Sequence, residues 1–114
     1  MNMLAPGAGA VLVYTTCPDE NTARVIARTL VEERLAACGN ILPGVTSIYR
    51  WQGKIETAGE CLVLLKTRSE RLEALAARLQ HLHPYDVPEL LAVPVDRGAP
   101  EYLRWVVEET EGGP

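Results

Sequence analysis

Two hydrophobic periods alternate along the chain and predict its elements. Short, nearly continuous apolar runs, as over 11–17, are typical of buried strands, whereas apolar residues three and four positions apart, as over 23–35, are typical of an amphipathic helix. The pattern predicts strands over 11–17, 37–51, 54–67 and 89–95, and helices over 19–36, 69–82 and 100–109. The order β-α-β-β-α-β with one further helix is the ferredoxin-like split βαβ arrangement, an α+β fold.

Prolines, glycines and helix-capping residues refine the boundaries of the predicted elements. Pro18 and Asp19 are typical of a helix start, because proline tolerates the first turn and an acid complements the helix dipole. Pro43-Gly44 interrupts the second strand and predicts a bulge, since proline cannot donate a ladder hydrogen bond. Gln52-Gly53 predicts a tight turn that sends the chain back along itself, and Ser69 is the predicted N-cap of the second helix.

The second and third strands therefore form a long hairpin arm. Its β-prone side chains include Ile41, Val45 and Ile48, and Trp51 stands at its far end. A lone hairpin of this kind is unstable in water, so another surface must cover it. We expect that surface to be another copy of the chain in a closed, cyclic assembly, which leaves no strand edge free.

The composition of the chain limits its number of domains and the kinds of partner it can bind. The 114 residues predict one domain over 10–110, with flexible tails over 1–9 and 111–114. The net charge is −4 and no basic run appears, which argues against nucleic acid or an anionic membrane as a partner. No apolar run approaches the roughly 20 residues of a membrane helix, and the start of the sequence lacks the basic segment of a signal peptide.

Three cysteines, Cys17, Cys38 and Cys61, carry the candidate thiol chemistry. Their odd number and the lack of a C-x-x-C spacing argue against a disulfide framework or a structural zinc site. Buried thiols in a reducing compartment are the simplest interpretation. Cys17 differs because it lies where a strand yields to a helix N-terminus, a position that lowers a thiol pKa and favours reactivity.

Four segments resemble the CutA family of divalent-cation tolerance proteins. They read AACGNILPGVTSIYRWQGKI over 36–55, HPYDVPELLAVPV over 83–95, TTCPDENTA over 15–23 and YLRW over 102–105. The resemblance extends from about Val11 to Val107. It implies a small cytoplasmic protein with a ferredoxin-like fold, a tight homotrimer similar to the PII signalling proteins, and a role in tolerance of copper and other metals.

The resemblance also implies a metal site. Copper-binding members carry a thiol on the first strand and histidines just before a Pro-Tyr pair. Here Thr15 takes the thiol position and Leu82 replaces one histidine, which leaves Cys17 and His83 as the candidate ligands of a divalent metal, copper above all. The alternative for His83 is that it caps the end of the second helix as a cation.

A second group of residues predicts a ligand cleft between subunits. Its members are Trp51, Lys66, Tyr85 and Glu89, with Tyr49 and Arg50 nearby. Lysine and arginine can hold an anion and aromatic rings can wall a small ligand, although the aromatic residues could equally be interface anchors. We expect Cys17 and Lys66 to meet in this cleft, because their strands are neighbours and both lead into helices.

Enzyme motifs are absent from the sequence. It contains neither G-x-S-x-G nor a phosphate-binding P-loop, and no nucleophile can be paired with a base. The sequence therefore predicts a non-enzymatic, trimeric metal-binding or regulatory protein, whose partners are further copies of itself and a divalent metal ion. The alternative from a different class is a small hydrolase-like enzyme with Cys17 as its nucleophile.

Overall fold

A four-stranded antiparallel sheet with two helices on one face dominates the computed structural model, which describes residues 3–112. Residues 3–112 form six strands and three α-helices: β1 (Ala5–Pro6), β2 (Ala10–Cys17), β3 (Cys38–Trp51), β4 (Lys54–Arg68), β5 (Leu91–Pro94), β6 (Arg97–Gly98), α1 (Glu20–Glu32), α2 (Leu72–Leu82) and α3 (Pro100–Glu109). Strands β2 to β5 form the main sheet, and β1 and β6 form a separate pair. The sheet order β3-β4-β2-β5 is the ferredoxin-like arrangement, so the predicted fold is confirmed.

Strict alternation along β2 and β4 separates the two faces of the sheet. Val13 and Leu65 are paired across these strands and point under the helices, where they are fully buried. Ile26 and Leu30 of α1 and Leu75 of α2 meet them there. The core therefore lies between one sheet face and the helices α1 and α2.

Both ends of α1 are fixed by local hydrogen bonds. At its start, the Asp19 carboxylate accepts a hydrogen bond from the Thr22 backbone N–H at 2.7 Å. At its end, Arg34 takes a left-handed conformation (φ 58°) and the Leu35 N–H donates to the Leu30 carbonyl at 2.9 Å. This is a Schellman motif, so the predicted continuation of the helix to residue 36 is wrong.

The hairpin arm has the predicted bulge and turn. The register of β3 against β4 shifts between Leu42 and Val45, where Pro43 and Gly44 stand. Gln52 and Gly53 both have positive φ angles, 49° and 80°, as a two-residue hairpin turn requires. The arm is therefore a long pair of strands, matched from Cys38 and Lys66 to Trp51 and Lys54, with one bulge along its length.

Three other boundaries differ from the prediction. Ala5–Pro6 pairs with Arg97–Gly98, so this part of the predicted flexible tail over 1–9 is instead a strand; residues 1, 2, 113 and 114 lie outside the described residues. The fourth sheet strand is shorter than expected, over Leu91–Pro94. Ser69 does not cap α2, because Ser69–Arg71 forms a 3₁₀ turn ahead of that helix.

The second face of the sheet is only partly covered. Helix α3 crosses one end of it, where Arg68 donates to the Thr110 hydroxyl at 2.9 Å. The remainder, called the open face below, is formed by Leu12, Tyr14, Leu42, Leu62, Leu64, Leu91 and Val93. Leu91 is 59% exposed and Val93 45% exposed. An apolar face of this kind is typical of an interaction surface.

Thr15 offers a stability test inside the core. Its side chain is fully buried, and its hydroxyl has no hydrogen-bond partner among residues 3–112. We expect Thr15→Val to raise the free energy of unfolding by about 1 kcal/mol, because valine has the same shape and leaves no polar atom unsatisfied. Chemical denaturation at a fixed protein concentration measures the change.

Thr67→Val is the matched control. Thr67 is equally buried, but its hydroxyl donates to the Leu35 carbonyl at 2.7 Å. The same substitution should therefore lower the free energy of unfolding by about 1 kcal/mol. Equal destabilisation by both substitutions would contradict the assignment of Thr15 as unsatisfied.

Candidate ligand cleft

A cavity of about 710 Å³ lies on the open side of the sheet, between the arm and the connector of residues 83–90. It is called the cleft below. Its lining residues fall into three groups: the aromatic residues Tyr49, Trp51 and Tyr85, the carboxylates Glu60, Asp86 and Glu89, and the residues Thr16, Ser47, Ile48 and Val87. A second, smaller cavity of about 110 Å³ beside the end of α1 has no aromatic residue in its lining.

The fold brings these residues together from three segments. Thr16 and Glu60 lie near one end of the central strands β2 and β4, on the same face as Leu62. The arm contributes its rings from beyond the bulge at Pro43. The connector is tied to α2 by Gln80, whose side-chain amide donates to the Asp86 carbonyl at 2.9 Å.

Tyr85 is fixed at the wall of the cleft. Its hydroxyl donates to the Glu60 carboxylate at 2.9 Å, and its ring lies 4.8 Å from the His83 ring at an angle of 49°. Burial, followed by the hydrogen bond to Glu60, raises the pKa of Tyr85 to about 12. The phenol is therefore protonated at neutral pH, and the carboxylate and the ring form one preformed unit.

The His83 side chain links the connector to β2 and is buried next to Tyr85. Only 6% of the residue is exposed. Its Nε2 lies 2.8 Å from the Thr16 carbonyl oxygen, and its Nδ1 accepts a hydrogen bond from the Tyr85 backbone N–H at 3.1 Å. This pattern makes Nε2 the protonated nitrogen and uses both nitrogens. His83 is the C-cap residue of α2, but its ring bonds to β2 instead of to the end of the helix.

Cys17 lies in the core, not in the cleft. It is fully buried, and burial, with smaller contributions from Cys61, Glu60 and Asp19, raises its pKa to about 11. The expectation of a lowered thiol pKa at the helix N-terminus is therefore wrong, because desolvation of the thiolate outweighs the helix dipole. A thiolate is the form needed for both nucleophilic attack and metal binding.

The predicted metal pair does not fit a copper ion in this arrangement. Cys17 is held as a buried thiol and both nitrogens of His83 are hydrogen-bonded. In the part of the chain that the structure describes, residues 3–112, no three side chains of the His, Cys, Asp and Glu types are grouped to hold a metal ion. A strong site within one chain would need at least that many donors.

Lys66 lies at the other end of the open side. It is paired with Leu12, six residues along β4 from Glu60, which is about 20 Å at the usual strand rise. Its ammonium group contacts the Asn40 side chain and lies 3.8 Å from Cys38 Sγ. The expectation that Cys17 and Lys66 meet is wrong, because β2 and β4 are antiparallel. Arg50 does not line the cleft either.

The cysteines provide a test of these environments. Cys38 is partly exposed, whereas Cys17 and Cys61 are buried. We expect iodoacetamide at about pH 8 to modify Cys38 well before the other two, because Cys17 and Cys61 are buried away from the reagent. Mass spectrometry of tryptic peptides over time measures this order. Denatured protein is the control, in which all three should react. Early labelling of Cys17 would contradict its assignment to the core.

Several cleft residues escaped the sequence-based interpretation, notably Thr16, Glu60 and Asp86. Glu60 lies in the polar first half of β4, which reads as a solvated strand. A signal was available, because the alternation of β4 places Glu60 on the same face as Leu62 and Leu64. No sequence signal indicates that the connector folds back over that end of the sheet.

The fold and the cleft together define a class: a ferredoxin-like α+β protein with a preformed cleft beside an uncovered sheet face. Within residues 3–112, no helix has both the length and the apolar character needed to span a membrane. The chain belongs to the family described as CutA1 divalent ion tolerance protein, which matches residues 11–109.

Individual relatives agree with this assignment. The divalent-cation tolerance protein CutA of Thermus thermophilus is 52% identical over 99 residues, which cover 87% of this chain and 96% of that protein. Protein CutA of the mouse is 47% identical over 112 residues, 94% of this chain and 63% of the mouse protein. The crystal structure of CutA from Xylella fastidiosa superposes with a TM-score of 0.88 at 50% identity, covering 90% of this chain and 99% of that one.

The relatives differ in length and in named compartment. A protein of Arabidopsis thaliana named as a chloroplastic CutA is 41% identical over 101 residues, 89% of this chain and 56% of that protein. The chain therefore spans nearly all of the Thermus protein but less than two thirds of the mouse and plant proteins.

Proposed function

We propose that this protein is a homotrimeric, non-catalytic binding protein that acts in divalent-cation tolerance, copper included, as a regulator of the PII-like kind. Membership of the divalent ion tolerance family supports the general role. The observation that carries the proposal is the open face, an apolar sheet surface beside a long arm. We also propose a cytoplasmic location, which three unpaired cysteines support.

The exposure of the arm supports assembly. Ile48, Trp51 and Ile55 are 70%, 60% and 61% exposed in the single chain, far more than side chains of this size usually are. A closed ring of copies would cover the open face, reduce the exposure of the arm and pair the free edges of the sheet. The family resemblance implies that this ring is a cyclic trimer.

The state of Cys17 supports a non-catalytic role. A hydrolase-like enzyme with Cys17 as its nucleophile would need a thiolate that meets its substrate. The buried thiol with its pKa raised to about 11 has neither property. Slow alkylation of Cys17, as expected above, would count against this alternative as well.

Residues 3–112 of one chain contain no group of side chains sufficient to hold a metal ion, which favours a metal site between copies. Because no group of three donors exists within residues 3–112, we propose that a copper ion is held where subunits meet, with donors from more than one of them. The sequence predicts Cys17 and His83 as the ligands. Their buried and hydrogen-bonded states argue for other donors.

Two measurements test the proposal together. Light scattering at micromolar concentration should give three times the 12.5 kDa mass of the chain. Calorimetric titration of copper(II) into this assembly should show binding that Cys17→Ser leaves unchanged. A monomeric mass would end the trimer proposal, and loss of copper binding in Cys17→Ser would restore Cys17 as a ligand.

A further inference from the structure

We propose that the cleft is a binding site for a small organic cation of the alkylammonium class. This inference rests on the proposed function only in treating the cleft as a ligand site. It assigns the site a chemical class opposite to the anion that the sequence suggested. Three independent features of the cleft carry it: its charge, its aromatic walls and the spacing of its carboxylates.

The charge of the lining favours a cation. Glu60, Asp86 and Glu89 are the only ionisable carboxylates of the lining, and it contains no lysine, arginine or histidine. Within residues 3–112, none of the three forms an ion pair, although six ion pairs occur elsewhere. Three uncompensated carboxylates beside a low-dielectric wall attract a cation and repel an anion.

The aromatic walls favour a cation with an apolar surface. Tyr49, Trp51 and Tyr85 all line the cleft. The face of an aromatic ring carries partial negative charge, and rings that surround a cavity are the usual means of recognising quaternary ammonium groups. Tyr85 is already held in place by Glu60 and by the His83 ring, so this part of the wall needs no rearrangement.

The spacing of the carboxylates disfavours a metal ion in the same place. A divalent metal ion needs several oxygen ligands within roughly 2.0–2.6 Å of one point. No such group exists among the described residues, and a cavity of about 710 Å³ is far larger than one ion. An alkylammonium ion spreads its charge over several methyl or methylene groups, so separated carboxylates and rings can all contact it at once.

Choline and 3,3-dimethylbutan-1-ol provide the decisive pair of probes, because they have the same shape and differ in charge. Calorimetric titration into the assembled protein should show choline binding about tenfold more tightly than the alcohol, the size of one well-formed cation–aromatic contact. Glu60→Gln should weaken choline binding several-fold and leave binding of the alcohol unchanged. Glu56→Gln, on the arm but outside the cleft, is the matched control and should change neither.

Each contrary outcome has a defined meaning. Equal binding of the two probes, or no binding of choline, overturns the proposal. Displacement of choline by copper(II) at one site would instead assign the cleft to a metal. Light scattering and copper(II) titration on the same sample keep the two proposals apart. A trimer that binds copper but not choline overturns this inference alone.

Discussion

Leu91→Glu should convert the assembly into monomers. Leu91 lies on the open face, opposite Tyr14, and is 59% exposed in the single chain. If neighbouring copies cover this face, each glutamate would be buried without a partner, at a cost of several kcal/mol per subunit. In a symmetric trimer this cost recurs in every subunit. Light scattering across a range of concentrations should then report the 12.5 kDa mass of one chain.

Val25→Glu is the matched control for this experiment. Val25 lies on α1 and is 50% exposed, so the substitution adds the same charge on an exposed site outside the open face. It should leave the mass of the assembly unchanged. The monomeric Leu91→Glu protein should also lose copper(II) binding, because the proposed site needs more than one subunit. An assembly unaffected by Leu91→Glu would show that its copies meet elsewhere.

His83→Ala should lower the free energy of unfolding of the metal-free protein by about 3 kcal/mol. The substitution removes a buried ring, leaves the Thr16 carbonyl without its partner, and frees the Tyr85 backbone N–H. Guanidinium denaturation in the presence of a chelator, at one protein concentration, measures the change. The chelator excludes any contribution from a bound metal.

His81→Ala isolates this effect. His81 lies in the last turn of α2, is exposed, and differs from His83 by only two positions. Its replacement should change the free energy of unfolding by less than about 0.5 kcal/mol. If the two alanine variants were equally stable without metal, His83 would not be the structural link between the connector and β2.

The sequence predicted the elements of this fold well because their hydrophobic periods are clear. The predicted boundary was wrong at the end of α1, where residues beyond the helix are buried at helix-like spacing. Leu35 and Ala36 extend the helical spacing of α1, yet both are buried only because the chain reverses in the Schellman motif. The pattern of buried positions is correct there, and the conformation that buries them is not.

The candidate site was harder to predict, for two separate reasons. The expected proximity of Cys17 and Lys66 could have been rejected from the predicted strand directions alone. A crossover makes β3 parallel to β2, and the hairpin makes β4 antiparallel to both. The burial of Cys17 and the folding of the connector over Glu60 depend on packing between segments distant in sequence. Local rules for helix ends and turns do not contain that information.

The position of β5 has a consequence for synthesis of the chain. β2 is complete by residue 17, but one of its edges is paired only with Leu91–Pro94, almost at the end of the described chain. A nascent chain therefore presents an unpaired strand edge until these residues have left the ribosome. Such edges pair with other chains when several are translated close together. Emergence of residues 91–94, more than early helix formation, is therefore the step that protects this edge of the sheet.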